Sequence, residues 1–541
     1  MWKAHRNRSD SCHNFNQIPQ VSEEASCLHK TVRRLRTRKI RQLVHSGVVI
    51  PQYEPKGFSI FYQGRRISLD PTQEEMAVAW VRKLGTEYVD DPVFVSNFLS
   101  DFCKALNLQN PCKIEEFDFS EIQRWVDAEK LRKERMSKEE KKAQAAERKK
   151  IREANKEKYG FATVNGERVE LGNYMVEPPC IFMGRGNHPL RGRWKSRVSY
   201  NDVTLNLSPD APRLVPPDGS NWKEIVFNPE YLWIAKWDDK LRGVEKYVWF
   251  ADTAEFKQRR DIEKFNLAKQ LEVALEKVRR HIEENLASPD LMRRKIATVC
   301  YLIDNLKMRV GDEKDRDEAD TVGATTLRSE HIKISEDGEV IFDFLGKDSV
   351  RWLQRIRPPP RVIENLKESI GPKRKSLLFQ GVRSEKVNSF LDEVMPGLTA
   401  KVFRTHHATK VVKEYLAGVK VRPEDDDTLK KHTAALANLQ AAKICNHRRK
   451  LPKNWNESMT KKLQHLKELR QNGRKKQAKV LSQRIKLLEA TRDYNLGTSL
   501  RSYVDPRTYS EWGRRVDYDW KKYYPKTLRR KFAWADKTKY V

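Results

Sequence analysis

The chain has 541 residues, of which 38% are hydrophobic and 34% are charged, and its formal net charge is +32 at pH 7. This composition is too apolar for a wholly disordered protein, and the length allows about three or four domains, each with its own core. So large a positive excess opposes a compact state unless a polyanion binds. Nucleic acid is the first candidate partner, an acidic membrane surface the second, and a merely basic soluble protein the third interpretation.

The seven cysteines are scattered and form no Cys-x-x-Cys pair, which argues against a zinc site or a disulfide framework and fits a reducing compartment. No apolar run reaches the roughly 18 residues that a membrane span needs. The polar N-terminus lacks the apolar core of a signal peptide. The basic run from Arg33 to Arg41 is typical of a nuclear import signal, a DNA-binding face or a plain solvated tail.

Residues 1–50 are basic and show little periodicity, which predicts a mostly disordered tail. Alternating apolar residues over 58–63 indicate a short strand, and helical periodicity follows over 72–84 and 91–107. Residues 126–158 are highly charged and have almost no apolar stripe, which predicts one long helix that projects into solvent. That helix is either a positively charged prong near DNA or a solvated spacer.

Residues 160–255 are predicted to be rich in strands, because aromatic and β-branched residues cluster at 231–237 and 247–250. Before these clusters, the glycines of Gly184-Arg185-Gly186 flank an arginine in a predicted loop. Such a loop lets the backbone and the guanidinium group approach a phosphate or a base closely. The tripeptide alone is a weak signal.

Helical periodicity covers 255–307 and resumes after an interruption to about residue 446. The interruption is a predicted β-hairpin in which Gly346-Lys347-Asp348 joins two short strands and places a lysine at the tip. Residues 453–490 carry a heptad-like apolar seam that is broken at Asn472-Gly473, which predicts an antiparallel helical hairpin. The aromatic-rich segment that follows predicts a compact cap.

Several motifs resemble, in order along the chain, those of the eukaryotic type IB DNA topoisomerases. They are Gly184-Arg-Gly-Asn-His-Pro189, Leu306-Lys-Met-Arg309, Ala319-Asp-Thr-Val-Gly323, Phe342-Asp-Phe-Leu-Gly-Lys347, Leu398-Thr-Ala-Lys-Val-Phe-Arg404, Cys445-Asn-His447 and Lys531-Phe-Ala-Trp-Ala535. The resemblance extends from about residue 50 to residue 535. It implies an α+β multidomain fold: a bi-lobed DNA clamp with a mixed N-terminal lobe, a mainly helical catalytic domain of the tyrosine recombinase and type IB topoisomerase kind, and a helical-hairpin linker.

The resemblance and the patterns together divide the chain into five expected parts. These are a basic disordered tail (1–50), an N-terminal DNA-clamp lobe with the charged helix (51–255), a catalytic core domain (256–450), a helical-hairpin linker (451–492) and a C-terminal domain with the candidate tyrosine (493–541).

The family chemistry is ATP-independent relaxation of supercoiled DNA through a transient 3′-phosphotyrosyl bond. In this sequence the resemblance gives the attack on phosphorus to Tyr503 and assigns the stabilisation of the phosphate oxygens to Arg309 and Arg404. It gives the proton for the leaving 5′-hydroxyl to Lys347 and a hydrogen bond to a transition-state oxygen to His447. The absence of a Gly-x-x-x-x-Gly-Lys-Ser/Thr motif and of an acidic cluster fits chemistry without ATP and without Mg²⁺ or Ca²⁺.

The same resemblance implies double-stranded DNA as partner, no metal site, and a nuclear location, with a DNA-containing organelle as the alternative. It implies DNA contacts at Arg185, Asn187, His188, Lys314 and Asp348. Binding should be dominated by backbone phosphates.

The sequence departs from the family at its candidate nucleophile. The family pattern is Ser-Lys-x-x-Tyr, whereas here Leu500 replaces the lysine and Ser502 stands where asparagine is usual. Arg501 is the candidate to supply the missing charge. A second interpretation therefore stays open at this point, in which the chain is the large subunit of a two-subunit enzyme and a small subunit carries the tyrosine. A tyrosine recombinase and a non-catalytic DNA-binding protein are the remaining alternatives.

Overall fold

The computed structural model describes residues 40–108, 111–184, 186–311, 322–347, 350–449, 451–452 and 454–538. Within these ranges the chain is a mixed α+β structure. Its helices are α1 (Pro71–Val81), α2 (Pro92–Ala105), α3 (Ser120–Arg135), α4 (Lys138–Tyr159), α5 (Glu255–Leu286), α6 (Leu291–Leu306), α7 (Pro360–Ser369), α8 (Ser384–Asp392), α9 (Ala400–Gly418), α10 (Asp427–Ile444), α11 (Trp455–Gln471), α12 (Lys475–Ala490), α13 (Leu496–Ser502), α14 (Pro506–Arg515) and α15 (Lys526–Lys531).

The strands are short, and most of them lie before residue 250. They are β1 (Leu43–His45), β2 (Ser59–Tyr62), β3 (Arg65–Ser68), β4 (Phe117–Asp118), β5 (Phe161–Val164), β6 (Glu167–Glu170), β7 (Cys180–Ile181), β8 (Trp194–Lys195), β9 (Thr204–Asn206), β10 (Glu224–Val226), β11 (Trp233–Asp239), β12 (Val244–Trp249), β13 (Ile332–Ile334), β14 (Val340–Gly346) and β15 (Val350–Ile356). They form small sheets in the orders β1-β5-β6, β3-β2-β4, β7-β8, β10-β9-β11-β12 and β13-β14-β15. The predicted strand-rich region is thereby confirmed.

The region before residue 250 has two apolar cores. In the first, α1, α2 and α3 pack against the β3-β2-β4 sheet, and Trp80 stacks on Phe98 with ring centres 4.5 Å apart. Two local features fix the start of α1: the Asp70 side chain accepts the Gln73 backbone N–H, and Pro71 occupies the first turn. In the second core the sheets that contain β5 and β11 bury their apolar faces together.

The predicted disordered tail is wrong for residues 40–50. Leu43 pairs with Val164 and His45 with Ala162 in the antiparallel β1–β5 ladder, and Leu43 is fully buried. A strand of three residues has too little local periodicity to predict, and its pairing partner lies far away in the sequence. Residues 1–39, which include the basic run from Arg33 up to Lys39, lie outside the described residues.

The predicted single helix over 126–158 is also wrong, because the structure has two helices, α3 and α4, with a break at Met136–Ser137. The Ser137 side chain accepts a hydrogen bond from the Glu140 backbone N–H at 3.1 Å, and the Glu140 carboxylate accepts one from the Ser137 N–H at 2.7 Å. This reciprocal capping box starts a new helix rather than continuing the old one. The predicted solvent exposure is confirmed, since none of the side chains of α4 is buried.

The central region forms a third core in which α5, α6, α7 and α8 pack with the β13-β14-β15 sheet. The predicted β-hairpin is confirmed: β14 and β15 pair antiparallel from Val340 opposite Ile356 to Gly346 opposite Val350. Lys347 therefore lies where the hairpin turns. Asp348 lies outside the described residues.

The C-terminal helices α13, α14 and α15 pack with α9 and α10 around a fourth core that is rich in tyrosine and tryptophan. Between α10 and α13 the chain forms the predicted helical hairpin, in which α11 and α12 share a small apolar seam of Met459, Leu466, Leu469 and Ile485. The turn uses Gly473 at φ +67°, a conformation that glycine adopts without strain.

Two further expectations concern cysteines and membranes. A disulfide joins Cys103 to Cys112, a pairing that the expectation of no disulfide framework did not foresee. The spacing does not predict this pairing, which arises because the chain turns back after α2. In the part of the chain that the structure describes, no helix is long and apolar enough to cross a membrane.

Candidate active site

Arg404 is the buried cation at the centre of the site. It lies on α9 and is 4% exposed. Its guanidinium Nη1 donates to the Lys307 carbonyl at 2.5 Å, and Nη2 donates to the Cys445 carbonyl at 3.1 Å. Burying a guanidinium group is costly unless acceptors surround it. These two carbonyls lie at the C-terminal ends of α6 and α10, so the Arg404 guanidinium group joins α9 to the ends of both helices.

Tyr503 lies against this charge. It follows α13 directly and is 7% exposed, and its ring centre is 5.0 Å from the Arg404 guanidinium carbon. Burial by itself raises the pKa of the phenol, but the positive charges of Arg404 and Arg309 outweigh burial, and the pKa lies below the usual 10. The site therefore makes the Tyr503 phenol more acidic than a free tyrosine, which helps a nucleophilic tyrosine to lose its proton.

The backbone around Tyr503 is held on both sides. Thr409 on α9 donates its hydroxyl to the Tyr503 carbonyl at 3.2 Å and accepts the Asp505 backbone N–H at 3.1 Å. Asp505 then caps α14, whose first residue is Pro506. The Asp-Pro sequence thus ends the tyrosine-bearing turn and starts the next helix.

His447 completes the buried group. The preceding residue, Asn446, has φ +52°. The His447 carbonyl accepts the Asn495 backbone N–H at 2.7 Å. Its Nε2 lies 3.4 Å from Arg404 Nη2, and its ring centre lies 5.3 Å from that of Tyr503. Burial, together with the charges of Arg404 and Arg309, lowers the pKa of His447 to about 3. The imidazole is therefore neutral at pH 7.

Arg309 and Lys347 reach the same place from two other elements. Arg309 follows α6 after Lys307, whose φ of +55° turns the chain at the helix end. Both residues line an open cavity of about 280 Å³ together with Arg404 and Tyr503. The structure thus brings four of the five predicted catalytic residues to one cavity and places His447 directly behind it.

Three segments of the chain match profiles of one protein family. Residues 38–250 match "Eukaryotic DNA topoisomerase I, DNA binding fragment", residues 253–480 match "Eukaryotic DNA topoisomerase I, catalytic core" and residues 475–540 match "C-terminal topoisomerase domain". Over 92% of its length the chain is 33% identical to "DNA topoisomerase I, mitochondrial" of Rattus norvegicus and covers 91% of that protein. The chain belongs to the eukaryotic DNA topoisomerase I family.

Other members of the family are longer than this chain. It is 33% identical to DNA topoisomerase 1 of Drosophila melanogaster over 91% of its own length, and 32% identical to that of Homo sapiens over 92%. It spans 54% of the Drosophila protein and 71% of the human protein. The chain thus spans only about half the length of the Drosophila relative.

Fewer of the predicted DNA contacts than of the predicted catalytic residues lie at the cavity. Arg185, Lys314 and Asp348 lie outside the described residues. Asn187 is exposed, whereas His188 is buried, and its Nδ1 accepts the Leu190 backbone N–H at 3.1 Å. Neither Asn187 nor His188 lines the cavity of Arg404 and Tyr503.

The prediction that Arg501 supplies the charge missing at position 500 is wrong for this cavity, which Arg501 does not line. Its side chain is 62% exposed and pairs with Asp252 at 3.0 Å, away from the cavity. Leu500, in the position of the family lysine, is 3% exposed and packs in the core around α9 and α10. This short helix therefore buries position 500 and turns position 501 outward.

Sequence reasoning missed Lys401, which lines the cavity and also contributes to lowering the pKa of Tyr503. A signal was present, since Lys401 precedes Arg404 by one helical turn and such residues share a face. No cluster of three or more His, Cys, Asp or Glu side chains that could hold a metal ion occurs among the described residues.

Proposed function

We propose that this chain relaxes supercoiled double-stranded DNA by cutting one strand through a 3′-phosphotyrosyl intermediate on Tyr503 and then rejoining it. The observation that carries the proposal is the contact between the buried Arg404 guanidinium and the Tyr503 ring, 5.0 Å from carbon to ring centre, inside a cavity that Arg309 and Lys347 also line. A buried cation beside a tyrosine at an open cavity is suited to attack on an anionic phosphodiester.

In the first step the Tyr503 oxygen attacks phosphorus, and the bond from phosphorus to the 5′-oxygen breaks. The phenol proton leaves to solvent in the open cavity, and Lys347 donates a proton to the departing 5′-oxygen. Arg309 and Arg404 hold the non-bridging oxygens, because a guanidinium fork matches two phosphate oxygens. Rejoining reverses each transfer, so the energy of the broken bond is kept and ATP is not needed.

His447 acts as a neutral hydrogen-bond donor in this scheme. A pKa of about 3 makes it a poor base at pH 7. Its Nδ1 has no hydrogen-bond partner among the described residues, and Arg404 faces Nε2. When a phosphate occupies the cavity and draws Arg404 toward it, Nε2 can carry the proton and donate it to a phosphate oxygen.

DNA is the partner that the net charge of +32 and the DNA-binding profile over residues 38–250 support. The two halves of the chain would close around the duplex as a bi-lobed clamp. Arg185, Asn187, Lys314 and Asp348 would contact the DNA, and His188 would shape the loop that presents Asn187. The enzyme would work in the nucleus or in an organelle that contains DNA, without ATP, Mg²⁺ or Ca²⁺.

A single-chain enzyme is favoured over a large subunit that borrows its tyrosine. The Tyr503 ring already lies against Arg404 and 5.3 Å from the His447 ring, so a tyrosine from a small subunit would have to displace it. The match of residues 475–540 to the C-terminal topoisomerase domain supports the same conclusion. The family assignment also disfavours a tyrosine recombinase and a non-catalytic DNA-binding protein.

The direct test is relaxation of a negatively supercoiled plasmid by the purified chain in EDTA without ATP. We expect relaxation through a ladder of topoisomers and no dependence on a recombination site in the plasmid. Absence of relaxation by the chain alone, with recovery when a tyrosine-bearing protein is added, would instead support the two-subunit interpretation.

A further inference from the structure

A closed ring of charged contacts begins and ends at the two residues that precede Tyr503. It joins the end of α13 to the start of α5 and the end of α15. Its members, in order of contact, are Ser502 (through its carbonyl), Lys264, Asp261, Lys531, Asp252 and Arg501. None of these side chains lines the cavity of Arg404 and Tyr503.

Lys264 is the member that contacts the tyrosine-bearing segment most directly. Its Nζ donates to the Ser502 carbonyl at 3.3 Å and pairs with Asp261 at 3.1 Å. The side chain is 22% exposed, and the ammonium lies 4.0 Å from the centre of the Phe265 ring. Carbonyls in the last turn of a helix have no hydrogen-bond partner within the helix. The Lys264 ammonium supplies a hydrogen bond to one of these carbonyls, that of Ser502, and so restrains the end of the helix.

Lys531 closes the ring from the other side. It pairs with Asp261 at 3.1 Å and with Asp252 at 3.5 Å, and its side chain is only 13% exposed. Asp252 in turn pairs with Arg501 at 3.0 Å. Lys531 is the first residue of the Lys-Phe-Ala-Trp-Ala motif, which takes no part in the proposed reaction steps. The contacts of Lys531 with Asp252 and Asp261 give this lysine a structural role.

The ring can restrain the segment better than its separate pairs can. An isolated exposed pair such as Arg501–Asp252 contributes little by itself. Here, however, two consecutive residues of one short helix are both held: the Ser502 carbonyl by Lys264 and the Arg501 side chain by Asp252. Rotation of the helix about its axis would break a contact at one end or the other. The residue after this doubly tied pair is Tyr503.

We infer that the ring positions Tyr503 for attack, with Lys264 as its principal positioning residue. The inference rests on the proposed function, because it names the restraint that aims the nucleophile. It explains why the chain functions without the family lysine at position 500: Leu500 anchors the helix in the core, and Arg501 ties it to Asp252. Small displacements of a reacting group reduce rates steeply.

The test uses the full chain carrying Lys264→Met, with Lys264→Arg as the matched variant that keeps the charge. At saturating DNA we expect Lys264→Met to slow covalent adduct formation by about 10- to 100-fold, while the Kd for DNA stays within about 3-fold of wild type. Lys264→Arg should recover most of the rate. Arg361→Ala, which removes an exposed pair with Glu364 outside the ring, serves as the control and should react as wild type does.

The Arg501–Asp252 contact is tested by a double-mutant cycle of neutral substitutions, because Asp252 also pairs with Lys531. Arg501→Gln and Asp252→Asn should each slow adduct formation, and the double variant should be slowed by less than the product of the two single effects. A wild-type rate in Lys264→Met, or fully independent effects of Arg501→Gln and Asp252→Asn, would overturn the inference. A fall in DNA affinity equal to the fall in rate would also overturn it, because Lys264 would then be a DNA contact.

A measurement that does not depend on DNA cleavage tests the restraint independently of the proposed function. Amide hydrogen exchange over residues 496–504 should be faster in Lys264→Met than in wild type, and it should be unchanged in Arg361→Ala. If the wild-type chain forms no adduct, the proposed function fails, and the exchange data alone decide whether the ring restrains this segment. Equal exchange in wild type and Lys264→Met would reject the restraint.

Discussion

The Arg404 guanidinium carbon lies 5.0 Å from the centre of the Tyr503 ring, and the two side chains are 4% and 7% exposed. Each side chain changes the pKa of the other. Burial alone would lower the pKa of the Arg404 guanidinium group, but Cys445 and Tyr503 raise it, and the Arg404 charge in turn lowers the pKa of the Tyr503 phenol against the effect of burial. This pair links the fold to the chemistry.

The first prediction concerns the pH dependence of Arg404→Gln. Without the guanidinium charge, burial dominates and the pKa of Tyr503 rises, so the rise in cleavage rate with pH moves to higher pH. The rate at neutral pH should fall by about 100-fold or more. Single-turnover adduct formation measured from about pH 6 to about pH 10 gives the profile. Lys401→Gln should shift it less in the same direction, and an unshifted profile in Arg404→Gln would contradict the electrostatic coupling.

The second prediction concerns acid stability. His447 is buried and neutral with a pKa of about 3, against 6.5 when unfolded. Protons therefore bind the unfolded chain as pH falls below 6.5, and stability is lost until pH reaches about 3. His447→Gln should lose on the order of 3 kcal/mol less stability than wild type between about pH 7 and about pH 4. Urea unfolding at both pH values measures it. Burial also lowers the pKa of His45 and of His406, but these two residues contribute equally in both proteins. Equal losses in wild type and His447→Gln would therefore show that folding does not lower the pKa of His447.

The third prediction concerns the buried pair that follows the tyrosine. Arg507 and Asp505 are each 2% exposed and lie 2.8 Å apart, and Arg507 also donates to Asn266 at 2.8 Å. Arg507→Met leaves the Asp505 carboxylate buried without its cation and should cost about 3 to 5 kcal/mol of unfolding free energy.

The control for this pair is Arg351→Ala. Arg351 pairs with Asp343 on the exposed side of the β-hairpin, so its loss should cost no more than about 1 kcal/mol. Equal losses in Arg507→Met and Arg351→Ala would show that burial does not govern the Asp505 pair.

The fourth prediction concerns salt. If DNA binding neutralises about ten phosphates, log Kd should change with log salt concentration with a slope of about 9 in magnitude. Fluorescence anisotropy on a duplex of fixed sequence measures the slope. Tight binding that is insensitive to salt would contradict a clamp dominated by backbone contacts.

Much of the fold follows from local patterns. Alternating apolar residues and a tight turn predict the hairpin with Lys347 at its tip, and a broken apolar seam predicts the turn at Gly473. The break at Ser137 also had a local signal, since Ser137 and Glu140 have capping-box spacing. There the uniform charge of the segment suggested a continuous helix, but the reciprocal cap outweighed it.

Contacts between distant segments could not be predicted in this way. The β1 strand is too short to identify without β5, which pairs with it from far along the chain. The candidate catalytic residues are predicted from motifs, but the packing of Tyr503 against Arg404 depends on how α9, α10 and α13 meet. Arg501 is predicted to supply the missing lysine charge because it is the residue next to Leu500 in the sequence. A helix turns neighbouring residues to different sides, and only the position of Asp252 shows where Arg501 points.

The most direct test of the central claim is a covalent trap with a nicked duplex whose religation is blocked. The purified chain, in EDTA and without ATP, should become linked to the 3′ end of the cleaved strand, and peptide mapping should find the DNA on Tyr503 alone. Tyr503→Phe should bind the same DNA with unchanged affinity and form no adduct. An adduct on another residue, or an adduct formed by Tyr503→Phe, would contradict the assignment of Tyr503 as the nucleophile.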